Sequence, residues 1–197
     1  MKKILAVCLS LALGIGIVGC SKNEPVKEDP VKNEQTTGAG DYVTGYGVLY
    51  NDYIGTLGNY SIYQTPDVAI EYYNTNEYPG NEKYVSDLKA AYTDSKEKIQ
   101  TFVNGLKNDL KTEDKEISKM NENLIAEGEK TIANIDAKLV KLETLPKDVY
   151  SKSKEDFIKV VDETTKLEEN TKTDFNKMLE DMNKKLNIEM KNTQPNK

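Results

Sequence analysis

Residues 82–110, EKYVSDLKAAYTDSKEKIQTFVNGLKNDL, decide the fold. Tyr84, Leu88, Tyr92, Ile99, Val103, Leu106 and Leu110 follow one another at helical steps, with Ser95 the polar interruption and Val85 and Phe102 widening the stripe. That spacing collects apolar side chains on one face of a helix and leaves the lysines and carboxylates on the other. Residues 117–142, ISKMNENLIAEGEKTIANIDAKLVKL, repeat the pattern through Ile117, Met120, Leu124, Gly128, Ile132, Ile135, Leu139 and Leu142. The stripe lapses between them. Lys107 and Lys111 suit a helix end, while Thr112, Glu113, Asp114 and Glu116 suit a helix start by capping and by the helix dipole. A tight turn near residues 110–113 is therefore expected. A single helix of about 60 residues, near 90 Å long, is the alternative, because no glycine or proline marks the turn.

Working outward, Leu145-Pro146-Lys147-Asp148 breaks the chain, since an internal proline removes a helical hydrogen bond and clashes with the preceding turn. Ser153 and Asp156 approximate a capping box. They open a last stripe of Phe157, Val161, Thr164, Leu167, Thr171, Phe175, Met178, Met182, Leu186 and Met190, with Thr164 and Thr171 read as core-edge hydroxyls bonding to their own helix. Upstream, Thr65-Pro66-Asp67 is a helix-start signal for a short helix over 66–75, and Tyr78-Pro79-Gly80-Asn81 reads as a turn. Residues 41–63 fit two periods. Tyr42, Tyr46, Leu49, Tyr53, Leu57 and Tyr60 keep helical steps, whereas Tyr42, Thr44, Tyr46, Val48 and Tyr50 alternate like a strand. Helix is preferred because its stripe survives past residue 50. Segments 41–75, 82–110, 113–144 and 153–190 would each span about 45 Å. Near-equal lengths with short connections predict an all-α, antiparallel bundle of about four long helices, the first one broken, over 41–190.

Charged residues make up 30% of the chain, mean hydropathy is -0.67 and the net charge is -6. All 27 basic residues are lysine, so the planar clamp that arginine offers phosphates and carboxylates is missing. An acidic chain without a basic block argues against nucleic acid as a partner. Histidine is absent, which removes the commonest general base and metal-binding imidazole. Neither a phosphate-cradling glycine loop nor a Gly-x-Ser-x-Gly elbow occurs. Glu113, Asp114 and Glu116 read as a solvated acidic first turn rather than a cation site. No catalytic residues, cofactor or metal are expected. Tyrosine is the one type with binding promise, joining an apolar ring to a hydroxyl. Tyr42, Tyr46, Tyr50, Tyr53, Tyr72 and Tyr73 are the candidate binding surface, with Asn51, Asn59, Asn74 and Asn76 flanking. Core filling is the competing reading.

The chain opens with Met1-Lys2-Lys3, an apolar run from Ile4 to Val18, then Gly19 and Cys20. A basic start, an apolar core and a small residue at the cut site describe an export signal, and the run is short for a spanning helix. Ile17-Val18-Gly19-Cys20 resembles the lipobox of bacterial lipoproteins. The resemblance implies cleavage after Gly19 and a diacylglyceryl group on the Cys20 sulfur, which supplies the two chains that stable anchoring takes. Cys8 would leave with residues 1–19. Residues 20–40 repeat Pro-Val-Lys at 25–27 and 30–32 and read, with 191–197, as disordered tether and tail.

The whole chain is similar to small, lysine-rich helical lipoproteins of low-GC Gram-positive bacteria, some described as cell-wall-binding. Glu71-Tyr72-Tyr73 is similar to an acidic-Met-Tyr-Tyr element of theirs, without the methionine. The resemblance implies a membrane-anchored, extracytoplasmic, non-enzymatic binding or adaptor module whose partner is cell-wall glycan or an envelope protein. Ser21 would allow outer-membrane sorting in a diderm. A self-associating spacer forming homo-oligomers is the alternative. A transporter's solute-binding subunit is disfavoured, because alternating strands and helices are missing.

Overall fold

The computed structural model of the chain describes residues 39–168 and 171–188. The expected signal peptide, Gly19, Cys20, most of the tether and the 191–197 tail lie outside the described residues. The body is all-helical, and its helices form four antiparallel rods. The first rod contains α1 (Ala39–Leu49), a π-helical turn (Tyr50–Ile54), a 3-10 segment (Leu57–Tyr63) and α2 (Pro66–Thr75). The second is α3 (Asn81–Asn108) and the third α4 (Lys115–Glu143). The fourth holds a 3-10 turn (Lys147–Ser151), α5 (Lys154–Thr165) and α6 (Phe175–Leu186).

Ion pairs fix the direction of packing. Lys89 meets Glu143 at 2.7 Å, Lys96 meets Asp136 at 2.6 Å, and Lys107 meets Glu129. As the α3 number rises the α4 number falls, so the two helices run antiparallel. These pairs are exposed and each contributes about 0–1 kcal/mol. They record the register more than they stabilise it. Apolar burial supplies the stability, in two clusters along the bundle. Tyr42, Tyr46, Phe102, Leu106, Leu124, Phe175 and Met182 fill one. Ala69, Tyr73, Tyr84, Leu88, Leu142, Phe157 and Ile158 fill the other.

The signals at the reversals act as their chemistry requires. Thr65 Oγ1 accepts the Val68 N–H at 3.2 Å, and α2 begins at Pro66. The Asp114 carboxylate accepts the N–H groups of Glu116 and Ile117, so residues 82–144 form two helices, not one. Ser153 Oγ accepts from Asp156 N–H and donates to its carboxylate. Gly80 caps α3 at φ 92°, a left-handed conformation that a Cβ would strain. Beside it, Asn81 Nδ2 donates to the carbonyls of Tyr150 (2.9 Å) and Lys152 (3.0 Å), while its Oδ1 accepts from the Tyr78 hydroxyl. One amide thus ties the first reversal to the third.

Two expectations are corrected. The buried stripe of the first rod is Tyr42, Tyr46, Tyr50 and Ile54, with Leu49, Tyr53 and Leu57 only partly covered. A strict four-step stripe drifts by about 40° per step around an ordinary α-helix. The wider π turn, closed by Gly55 N–H on the Tyr50 carbonyl at 2.8 Å, takes up that drift. The fourth rod is not one helix over 153–190. It breaks after Thr165 and resumes at Phe175, and Asn187 at φ 53° ends it. Residues 164–174 hold four threonines, whose branched side chains lose rotamer freedom in a helix. Thr164 and Thr165 turn their hydroxyls onto the carbonyls of Val160 and Val161. Partners on α4 then hold the chain beyond α5: Lys141 Nζ donates to the Lys166 carbonyl and Asn134 Nδ2 to that of Thr171, both at 2.7 Å.

Gly128 lets α3, α4 and α6 approach. A Cβ there would lie 2.5 Å from Val103 Cγ2 and 3.2 Å from Phe175 Cε2. Gly128→Ala is expected to lower stability by about 1–2 kcal/mol, overpacking outweighing the gain in helix propensity. Urea denaturation checks this, and a raised midpoint would show room for the methyl group.

Candidate functional site

The six tyrosines singled out from the sequence do not form one surface. Tyr42 and Tyr46 are 1% and 0% exposed, and Tyr50 and Tyr73 are also buried. Tyr53 is half-buried and Tyr72 exposed. The rings of Tyr42, Tyr46 and Tyr50 stack with centroids 6.4 and 6.2 Å apart, and Tyr46 meets the edge of Phe102 at 5.9 Å. The Tyr42 hydroxyl donates to Asn121 Oδ1 and that of Tyr46 to Asn183 Oδ1, both at 2.9 Å. Ring area and a satisfied hydroxyl make these residues core. Tyr73 is enclosed by Tyr72, Tyr78 and Tyr84. Three flanking asparagines are already engaged: Asn51 donates to the Gly47 carbonyl, Asn76 to the Tyr72 carbonyl, and Asn74 Oδ1 accepts from Lys154 of the fourth rod.

A cleft opens instead between the two apolar clusters, where the fourth rod departs from helix. It has a volume of about 480 Å³, and Tyr92, Asn134, Ile135, Lys138, Asp162 and Leu167 are among the residues lining it. Each helix brings its residues for a local reason. Tyr92 lies on the α3 stripe one turn from Ser95. Asn134 and Lys138 stand one turn apart on α4, and Asp162 is in the last turn of α5 before the break. The break uncovers what a continuous helix would fill.

Charge in the cleft is incompletely matched. Lys138 Nζ sits 5.5 Å from the Tyr92 ring centroid, a cation–π contact. Burial pushes this ammonium below the usual lysine range, and the Asp162 carboxylate opposes the shift. Burial, then the Asp162 charge, push the Tyr92 hydroxyl above the ordinary phenol range, with the Thr165 hydroxyl pulling the other way. Most neighbouring donors are already used. Asn134 Nδ2 is on the Thr171 carbonyl, Thr131 Oγ1 donates to the Glu127 carbonyl, and Thr165 Oγ1 donates to backbone. This constellation can hold a ligand by charge and by a ring. It lacks the paired nucleophile and base of a covalent catalyst.

Sequence reasoning missed Lys138 and Asp162, which sit off the apolar stripes. The available signal was the polar interruption at Ser95 on α3 and at Thr164 and Thr171 on the fourth rod, three gaps in otherwise apolar faces. Elsewhere, the Tyr60 hydroxyl donates to Asp94, which Lys98 also meets at 2.7 Å. That hydrogen bond pushes Tyr60 to about 12, while Lys98 and Tyr60 hold the Asp94 carboxyl below its usual range. Asp114 is spent as a helix cap and Glu116 pairs with Lys185. Among the described residues no three His, Cys, Asp or Glu side chains gather to hold a metal, and no helix is long and apolar enough to cross a membrane. No protein-family model, curated protein or solved structure matches the chain.

Proposed function

We propose that this chain is an extracytoplasmic lipoprotein, anchored by a diacylglyceryl group on Cys20, whose helical body is a binding module of the cell envelope. The observation that carries the anchor is Ile17-Val18-Gly19-Cys20 directly after the apolar run 4–18. Two acyl chains hold a protein at a bilayer where one holds it only reversibly. An acidic body without a basic patch has little electrostatic attraction of its own to anionic lipid, so the covalent anchor does the holding. The cleft supports the binding half of the reading. It is concave, carries a ring and two half-buried charges, and is better suited to a ligand than the buried tyrosines of α1.

Growth of a bacterium expressing the full chain with an alkyne analogue of palmitate tests the anchor. Label is expected on the native chain and on Cys8→Ala, and is expected to vanish on Cys20→Ala, which should also keep its leader. Label that survives Cys20→Ala, or that is lost with Cys8→Ala, sinks the proposal.

A further inference from the structure

The cleft holds two half-buried charges that the body itself leaves unspent. Among the described residues, the Lys138 ammonium has no hydrogen-bond acceptor or ion-pair partner, only the Tyr92 ring at 5.5 Å. The Asp162 carboxylate likewise accepts no hydrogen bond and joins no ion pair among the described residues. Each feels the other's charge, yet they stand beyond ion-pair distance. Elsewhere in the body lysines close onto carboxylates, as Lys83 does on Asp87 and Lys89 on Glu143, both at 2.7 Å. Half-buried charges without partners are costly, because desolvation is not offset by a hydrogen bond. A ligand that satisfied both at once would recover that cost at two points.

Tyr92, Ile135 and Leu167 give the same cleft apolar surface, and its other charged side chains, Lys166, Glu168 and Lys172, are exposed to solvent. A ligand with one charge meets one partner and is opposed by the other: Asp162 repels a simple carboxylate, and Lys138 repels a simple amine. We infer that the cleft binds a small zwitterion, an α-amino acid or short peptide with an apolar side chain, Lys138 meeting its carboxylate and Asp162 its ammonium. A volume near 480 Å³ accommodates either source. The two differ in charge separation, adjacent in a free amino acid and a peptide unit further apart in a dipeptide. The inference rests on reading the body as a binding module. The anchor at Cys20 is decided independently, by lipid labelling.

The test uses the full chain purified in detergent and saturation-transfer NMR. One mixture holds the twenty L-amino acids, and a second holds Ala-Ala and Leu-Leu. Responders are then titrated beside leucine, 4-methylpentanoate, which lacks the ammonium, and 3-methylbutylamine, which lacks the carboxylate. Saturable binding of a zwitterion is expected, with each one-charge analogue weaker by about tenfold or more, the scale of a lost charge-assisted hydrogen bond. The mixture that responds names the source. Lys138→Met, which keeps the stem over Tyr92, and Asp162→Asn should each weaken the zwitterion similarly with helical circular dichroism unchanged. One-charge analogues binding as well as the zwitterion would overturn the inference and leave the cleft a binding site. Silence from both mixtures at millimolar concentration, or binding indifferent to both substitutions, would overturn it as well.

Discussion

Raised above about pH 10, the body is expected to unfold cooperatively, tyrosinate absorbance appearing together with loss of helical circular dichroism. Burial pushes the hydroxyls of Tyr42, Tyr46 and Tyr84 well above the ordinary phenol range, and those of Tyr60 and Tyr78 to about 12, Tyr60 chiefly through its bond to Asp94. Above about pH 10 the unfolded chain releases these protons while the folded chain retains them. The unfolded state then binds fewer protons, so stability is complete below that pH and falls as pH rises. Each well-buried tyrosine takes away roughly 1.4 kcal/mol per pH unit. Tyr42, Tyr46 and Tyr84 together take about 4 kcal/mol per unit, against the 5–15 kcal/mol that holds a typical domain. Tyrosines titrating gradually near the ordinary value while the helix signal persists would refute this account of the core.

Phe102→Ala and Phe157→Ala are each expected to cost about 3–5 kcal/mol, in different halves of the bundle. Both side chains are fully buried. Phe102 meets the edges of Tyr46 and Phe175, and Phe157 packs on Tyr84 and Tyr150. α3 and α4 run unbroken through both clusters, whereas the first and last rods are interrupted near the level of the cleft. Damage should follow that division. In hydrogen exchange, Phe157→Ala is expected to deprotect α2 and α5 first, and Phe102→Ala α1 and α6. Equal loss of protection along all rods in both variants would show one cooperative core.

Local signals carried the architecture as far as local chemistry reaches. Thr65-Pro66 placed the start of α2 because a hydroxyl cap and a fixed proline φ act within a few residues. The charge change from Lys107 to Glu116 marked a reversal without glycine or proline, and Asp114 proved to be its cap. Periodicity gave way where tertiary contacts decide. The threonines weaken the helix beyond Thr165 without fixing where it ends, because the groups that hold the chain at Lys166 and Thr171 are Lys141 and Asn134, more than twenty residues upstream. The tyrosines illustrate the same limit. A stripe fixes which rings share a face, but which face turns inward depends on Asn121 and Asn183 waiting as partners. The cleft was hidden for a related reason: Lys138 and Asp162 belong to different rods, and only packing brings them to one cavity.

An even number of rods brings Ile188 back to the level of Ala39. Ile188 Cδ1 lies 3.4 Å from where a Cβ on Gly47 would sit, and Ala39 is two turns from Gly47, about 12 Å along α1. Whatever precedes Ala39 and whatever follows Ile188 therefore leave from the same end. The body adds no reach between those two points. A load pulling on both would act across neighbouring rods and not along the bundle's length, so the four-rod body is poorly built to serve as a strut in series. The Asn81 clasp lies at the opposite end from Ala39 and Ile188, with the cleft part-way along the flank between.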